Sequence, residues 1–129
     1  MKQKNNWFEF AKDDLRMAEL ALQEKIFNQE CFHSQQVVEK VLKAYVGAHH
    51  KIIPKTHFLG ELLNLCTEIN GDFSNLKEIC LKLDKYYILM RYPDALPWIL
   101  PEGLPNEKDA LESTSFAKEI MQFVINRIA

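Results

Sequence analysis

The residues best suited to chemistry form the run Arg91, Tyr92, Pro93 and Asp94, in which a guanidinium, a phenol and a carboxylate surround a proline. Because proline fixes its own φ at about −65°, it restricts how its neighbours are presented. A guanidinium held in this way offers a planar fork to phosphate or carboxylate. Two other interpretations remain open: Arg91 complements a helix dipole, or Asp94 neutralises it. Tyr87 adds an aromatic face one turn earlier.

A second polar set consists of Gln36, Lys40 and Lys43. Their spacing of four and three places them on one flank of a helix, so they are candidates for ligand binding. Gln36 and the glutamine before it offer neutral donors and acceptors that suit a nucleobase edge or the backbone of a partner. The alternative is a solvated face, with a Glu39–Lys43 pair that contributes about 0.3–0.5 kcal/mol.

The histidines lack the spacing of a metal site. His49 and His50 are adjacent, and adjacent residues on a helix point about 100° apart, so they do not chelate one ion easily. His57 stands at the start of a predicted helix, where capping or packing is its expected role. We predict no metal, no cofactor and no catalytic residue. Arg91, His33 and His57 are the candidates that would carry catalysis if it occurs.

Apolar residues at helical spacing predict five helices, and no segment shows the alternation of a strand. The expected fold is all-α: an antiparallel up-and-down bundle of four long helices plus one shorter helix, in a single domain covering residues 1–129. The first predicted helix is capped by Asn5 or Asn6 and ends before a connection at residues 27–29, and the second runs from about Gln29 to His49. The third runs from Phe58 to Ile69 and is capped by Thr56. The fourth is capped by Ser74 and stopped by Pro93, and the fifth runs from about Asn106 to Arg127.

Two connections have distinct signatures. Asn70-Gly71 predicts a left-handed end to the third helix. Four of the five prolines follow the fourth helix, which predicts a stiff, extended connector there. That connector also carries several large apolar side chains, Trp98 among them. Since tryptophan is enriched in interface anchors, we predict that Trp98 contributes to dimerisation or stability.

Bulk composition limits the function classes. The 129 residues include 16 basic and 18 acidic side chains, and a net charge of −2 provides no general attraction for nucleic acid. No apolar run has the length of a membrane span, and Asp13 and Asp14 interrupt any secretory leader. Cys31, Cys66 and Cys80 lack the spacing of a disulfide framework or a zinc ribbon. Free buried thiols and a cytoplasmic location are expected.

Three blocks, in this order, resemble the HEPN domain family: CFHSQQVVEKVLKAYV, IPKTHFLGELL and LDKYYILMRYPDA. The first contains an aromatic residue, His, two adjacent Gln and then Glu-Lys at fixed spacing. The resemblance implies a helical bundle that forms homodimers and binds nucleotides or RNA. It also implies a minimal nucleotidyltransferase as partner, in a pair of toxin–antitoxin type. The Arg-Tyr-Pro-Asp form resembles the members that serve as such partners.

Catalytically active members of that family are metal-independent ribonucleases that carry an Arg followed, after a short spacer, by a His. Arg91 matches the arginine, but the corresponding positions of the histidine are Leu96, Pro97 and Trp98. Cleavage by a 2′-hydroxyl needs a group that transfers protons near neutral pH, and His is the usual one. We therefore predict a non-catalytic nucleotide-binding or nucleotidyltransferase-partner module. The alternative is a divergent ribonuclease in which another histidine substitutes.

The expected site is a polar groove that a homodimer completes. It would bring the flank of the second helix close to the end of the fourth. The predicted ligand-binding residues are Gln36, Lys40, Lys43, Tyr87, Arg91, Tyr92 and Asp94. The resemblance also implies a third possibility, in which a nucleotidyltransferase attaches a nucleotide to Tyr92, the phenol nearest to Arg91.

Overall fold

The computed structural model describes the backbone of residues 2–128 and the side chains of residues 6–128. The described chain is all helical, which confirms the predicted fold class. The helices are α1 (Lys2–Gln23), α2 (Phe27–Ala48), α3 (Leu59–Ile69), α4 (Lys77–Arg91), the short α5 (Leu96–Ile99) and α6 (Glu107–Ile128). Two 3₁₀ segments, Gly71–Leu76 and Pro93–Ala95, precede α4 and α5. α1, α2, α4 and α6 are the four long helices, and α3 is the shorter one.

α2 is the central helix of the bundle and packs against α1, α3, α4 and α6. One stripe of α2 at helical spacing is buried and consists of Ser34, Val38, Leu42 and Tyr45. However, the neighbours on other sides of α2 also bury its polar residues, so it has no fully solvated face in its middle turns. A helix enclosed in this way must find a partner for every polar side chain that it carries.

The chain after α2 runs back along the helix, so that α3 lies parallel to α2. The N-terminal end of α3 lies beside Gln35, whose side chain bonds the carbonyl of His57. Further along, the thiol of Cys66 lies 3.7 Å from the carbonyl oxygen of Leu42. This return of the chain places His57 next to the middle of α2, although residues 49–56 separate it from the end of that helix.

Several predicted helix boundaries were wrong. α1 already includes Asn5 and Asn6, so neither residue caps it. α2 begins at Phe27, because the turn between α1 and α2 is made by residues 24–26, where Lys25 adopts a φ of 61°. Phe58 rather than Thr56 is the residue preceding α3. The Thr56 hydroxyl accepts a hydrogen bond from the Phe58 N–H at 3.2 Å.

The connection from α3 to α4 also differs from the prediction. Asn70 is extended, with a φ of −145°, and Gly71 does not adopt the left-handed conformation. Instead the side chain of Asn70 accepts a hydrogen bond from the Asp72 N–H at 2.9 Å and begins a 3₁₀ segment. Ser74 lies inside that segment and does not cap α4.

The proline-rich connector is helical in its first half, contrary to the predicted extended chain. Pro93 ends α4 after Arg91 as predicted, but it then begins a 3₁₀ turn, and Pro97 lies in the first turn of α5. A proline is tolerated at the first positions of a helix because the N–H that it lacks would be unpaired there. The segment from Pro93 to Ile99 packs mainly against α4 and leaves Trp98 85% exposed.

The three thiols are free and buried, as predicted. Burial raises the pKa of Cys66 and of Cys80 to about 12 and raises that of Cys31 as well, so these groups stay protonated and unreactive near neutral pH. None of the described helices combines the length and apolar character that a membrane crossing requires.

Glu30 is a fully buried carboxyl between α2 and α6. Its Oε2 accepts hydrogen bonds from Ser34, at 3.0 Å, and from Thr114, whereas its Oε1 has no partner among the described atoms. Burial raises the pKa of Glu30, and the hydroxyl hydrogen bonds offset this effect only in part. Because the folded pKa exceeds the unfolded one, this group's contribution to stability is greatest below the unfolded pKa and declines as pH rises through the folded value.

Glu30→Gln should remove this titration while keeping an oxygen that accepts from the two hydroxyls. We expect the variant to gain stability relative to wild type as the pH rises from the unfolded pKa of a glutamate through the raised folded pKa of Glu30. Urea unfolding at a series of pH values measures the difference. The control is Glu24→Gln, at an exposed position. Parallel pH profiles for wild type and Glu30→Gln would contradict the account of this buried acid.

Candidate functional site

Glu39 lies at the centre of a polar cluster on α2 and is only 3% exposed. Its carboxylate accepts a hydrogen bond from the ammonium of Lys43 at 3.0 Å, and one from Gln36 Nε2 at 3.1 Å. Both carboxylate oxygens lie 3.3 Å from the Nδ1 of His57. The ring of Trp7 covers Lys43, whose ammonium lies 5.3 Å from the ring centroid. The Glu39–Lys43 pair therefore exists, but it is buried and not part of a solvated face.

Gln35 extends this cluster into the bundle and has no exposed surface. Its amide nitrogen donates to the His57 carbonyl oxygen at 2.8 Å and to Oδ1 of Asp84 at 3.3 Å. Its amide oxygen accepts from the next glutamine at 2.8 Å. Asp84 in turn accepts hydrogen bonds from the N–H groups of Leu59, at 2.8 Å, and Gly60, at 3.2 Å. A carboxylate from α4 therefore caps α3.

The hydrogen bonds that Asp84 accepts offset part of the cost of burying its charge. Burial raises the pKa of this carboxyl, whereas the N–H groups of Leu59 and Gly60 and the Gln35 amide oppose that rise. Three donors converge on its oxygens, which is the arrangement that an ionised carboxylate requires. The positive end of the α3 dipole adds to this stabilisation.

Aromatic rings form a continuous stack beside the cluster. The ring of Tyr87 stacks on His57, with centroids 5.2 Å apart and planes inclined by 24°. Its other neighbours are Phe32, stacked at 6.3 Å, and Phe58, in an edge contact at 5.5 Å. The ring of Tyr87 is buried, but the side chain of His57 remains 52% exposed. His57 therefore forms the outer layer of the stack and is the member that a ligand can reach.

A separate carboxylate–imidazole pair lies between α1 and α2. Asp14 accepts a hydrogen bond from the Nδ1 of His33 at 2.9 Å and another from Lys40. Burial by itself would raise the pKa of Asp14, but these two partners outweigh it and lower the pKa. The side chain of Asp14 faces α2, and the residue as a whole is 8% exposed.

Arg91 occupies the last turn of α4, where its charge complements the helix dipole, as in one of the interpretations that the sequence left open. Its side chain is exposed, and no acidic group of the described side chains lies within ion-pair distance. The interpretation in which Asp94 neutralises Arg91 is therefore not supported. Tyr92 is 62% exposed, and Asp94 is also exposed in the turn that Pro93 begins.

The structure brings some of the predicted residues together and separates others. Gln36 and Lys43 meet at Glu39, which contacts His57, and His57 contacts Tyr87. Arg91 lies one turn beyond Tyr87 on α4. Lys40 is instead held by the carboxylate on α1. Tyr92 and Asp94 lie past the end of α4.

The sequence interpretation missed Asp14 and Asp84, the two acids that orient this region. Each lies within a buried stripe: Asp14 between Ala11 and Ala18, and Asp84 between Cys80 and a buried tyrosine. A carboxylate at a core position of an amphipathic helix requires a partner, since a buried charge is costly without one. An acidic residue at a core position of a predicted helix was therefore the sequence signal that could have identified Asp14 and Asp84.

The chemistry open to the site is anion binding and proton transfer. A carboxylate that binds Nδ1 of an imidazole leaves Nε2 free, and both His33 and His57 have this arrangement. Arg91 supplies a guanidinium that is open to an anion. Among the described side chains, no group of three or more His, Cys, Asp or Glu residues has an arrangement suited to a metal ion.

Known proteins share both the sequence pattern and the fold. Residues 5–128 match the model of the HEPN domain family. TT1696 from Thermus thermophilus is 30% identical over 98% of both chains, with a TM-score of 0.80. ST0689, described as an archaeal HEPN homologue, is 28% identical over the full length of both chains, with a TM-score of 0.76. No match was found among curated proteins. Since the family model covers nearly the whole chain, this protein belongs to the HEPN domain family.

Proposed function

We propose that this chain is a non-catalytic nucleotide-binding module that acts as the partner of a minimal nucleotidyltransferase, in a pair of toxin–antitoxin type. Arg91 contacts the phosphate, and the exposed face of His57 offers a surface for the base. The remaining proposed ligand-binding residues are Gln36, Lys40, Lys43, Tyr87, Tyr92 and Asp94. Of these, Lys43 and Tyr87 are buried and support the surface from beneath, whereas the others reach solvent at least in part.

The observation that carries the proposal is the open guanidinium of Arg91, one turn beyond an aromatic stack. An exposed Arg without an acidic partner retains its full capacity for bidentate contact with phosphate. A nucleobase can stack on the outer face of His57, because imidazole is among the side chains that bases stack on. A charged fork near a flat ring matches the two chemical parts of a nucleotide.

The absence of a downstream histidine supports the non-catalytic form of the proposal. The family ribonuclease motif would place a His in the turn after Arg91, but α5 carries Leu96, Pro97 and Trp98 there. A guanidinium stays protonated at any working pH and therefore cannot act as a base. Arg91 can hold a phosphate, but the adjoining turn supplies no histidine to move a proton near neutral pH.

Arg91→Ala should weaken the binding of ATP about tenfold or more, because hydrogen bonds to charged groups contribute about 1.5–3 kcal/mol. Calorimetric titration of wild type and variant measures this, and the affinity of the wild type should also fall as salt rises. The matched control is Arg16→Ala, which removes an exposed arginine from α1. Equal affinities for wild type and Arg91→Ala would exclude Arg91 from the site.

We also propose that the chain forms a homodimer through the connector after α4. Trp98 is 85% exposed and Tyr92 is 62% exposed, and both lie in or beside the segment that packs mainly against α4. Leu104, 56% exposed, lies later in the same connector. Large apolar side chains grouped in one connector are typical of a contact surface, and an aromatic anchor is its usual centre.

Trp98→Ala should weaken the dimer without lowering the stability of the monomer, since the ring has few contacts to lose within its own chain. Sedimentation over a range of protein concentrations, together with urea unfolding, separates the two effects. Ile52→Ala is the matched control, because Ile52 is 91% exposed but lies in the connection between α2 and α3. An unchanged sedimentation profile for Trp98→Ala would contradict the proposed interface.

A second candidate function is a divergent metal-independent ribonuclease. The observation in its favour is the pair of carboxylate-oriented imidazoles, His33 with Asp14 and His57 with Glu39. A carboxylate that holds Nδ1 fixes the tautomer and leaves Nε2 to act as acid or base. Arg91 would then stabilise the charge that develops on the phosphate during attack by the 2′-hydroxyl.

Structured RNA incubated with purified protein in the presence of EDTA tests this second candidate. It requires cleavage that His33→Ala or His57→Ala abolishes and that His49→Ala, an exposed histidine outside the cluster, leaves intact. The non-catalytic proposal instead requires the RNA to remain intact even at high protein concentration. Cleavage that survives all three substitutions would indicate a contaminating nuclease and exclude both imidazoles.

A further inference from the structure

We infer that Gln35 is a positioning residue, which holds the backbone of His57 in place and thereby orients the exposed imidazole of the site. Asp84 in turn holds the side chain of Gln35 in place. Neither Gln35 nor Asp84 was among the predicted ligand-binding residues, and neither is exposed enough to contact a ligand directly. The consequence for ligand binding rests on the proposed function. The position of His57, by contrast, can be measured without any ligand.

The amide of Gln35 has one orientation that satisfies its surroundings. Its nitrogen faces two acceptors, the carbonyl oxygen of His57 and the carboxylate of Asp84. Its oxygen faces a donor, the amide nitrogen of Gln36. Rotating the amide by half a turn would set oxygen against oxygen in a region without water access, which is strongly unfavourable. The side chain is therefore locked and holds the His57 carbonyl at a defined place.

The chain is held on the other side of His57 as well. Asp84 binds the N–H groups of Leu59 and Gly60, so the two residues that open α3 are tied to α4. Gln35 and Asp84 thus bracket the short segment from His57 to Gly60. The Gln35–Asp84 hydrogen bond at 3.3 Å joins the two restraints. A buried network in which each group satisfies the next is rigid, because no member can move alone without loss of a partner.

The restrained backbone determines the position of the imidazole ring of His57. With the His57 carbonyl fixed, the Nδ1 side of the ring meets Glu39 and the ring face lies on Tyr87. The side chain of His57 remains 52% exposed, and its Nε2 has no hydrogen bond among the described side-chain contacts. Among the described contacts, the preceding residues of the connection contribute few restraints, such as the Thr56 hydroxyl on the Phe58 N–H. Without Gln35, the carbonyl of His57 would lose its buried donor and the segment would move outwards.

Gln35→Met tests the inference, because methionine fills a similar volume but donates no hydrogen bond. We expect the imidazole resonances of His57, assigned by comparison with His57→Ala, to shift towards those of a solvent-exposed histidine. ATP affinity should fall by about fivefold, the effect of one lost hydrogen bond. The control is Thr114→Val, which removes a buried hydroxyl from α6 and should leave the His57 resonances in place.

A double substitution separates positioning from overall stability. In the double variant Gln35→Glu with Asp84→Asn, the amide introduced at position 84 can donate a hydrogen bond to the carboxylate introduced at position 35. The contact between α2 and α4 is thereby restored, with donor and acceptor exchanged. The new glutamate has no proton to donate to the His57 carbonyl. The melting temperature should therefore recover relative to Gln35→Glu alone, whereas the His57 resonances should stay displaced and ATP affinity should stay low.

Two results would overturn the inference: wild-type His57 resonances in Gln35→Met, or their recovery together with the melting temperature in the double variant. In either case Gln35 would act through stability alone. Failure of the proposed function gives a different result, namely displaced His57 resonances in a protein whose wild type binds no ATP. If Gln35→Met fails to fold, the double variant alone decides.

Discussion

The fold depends on one constraint: the central helix carries polar side chains into the core, and each must find a partner there. Gln35 and Glu39 have almost no exposed surface, yet they stand among the valines and leucines of α2. An unpaired polar group at such a position costs about 1–3 kcal/mol when it is neutral and more when it is charged. The partners come from the connection before α3 and from α4, so satisfying these two residues also determines how three elements meet.

The site follows from that network. The restraint on His57 exists because Gln35 needs an acceptor, and the cap on α3 exists because Asp84 needs donors. The surface that results has a flat imidazole on top of Tyr87 and a guanidinium at Arg91, one turn further along α4. Under the proposed function, packing and ligand binding are thus linked through the same few hydrogen bonds. The charges closest to the core, on Glu39 and its partner lysine, are paired and buried, which leaves Arg91 as the cation best placed to meet an anionic ligand.

The sequence predicted those structural features that depend on the local periodicity of apolar residues and on the chemistry of individual residues. The stripes of apolar residues identified five helices, and Pro93 identified the end of the fourth, because both signals act within a few residues. Ser74 was assigned as a cap from its type alone, but a 3₁₀ segment leads into α4 and the serine lies within it. The contacts of Asp14, Asp84 and His57 join residues that lie far apart in the sequence. The separation is 18 positions for His57 and Glu39 and 49 positions for Gln35 and Asp84, and no local pattern encodes such pairings. Only their placement on buried helix faces indicated that partners existed.

The cap of α3 by a carboxylate from α4 is the most direct consequence of this network, and hydrogen exchange of the Leu59 and Gly60 amides tests it. The first N–H groups of a helix normally lack partners and exchange fast. If Asp84 binds them as the structure shows, their protection should match that of amides in the middle of α2, and Asp84→Ala should abolish it. Fast exchange of both amides in the wild-type protein, at the rate of a frayed helix end, would contradict the account.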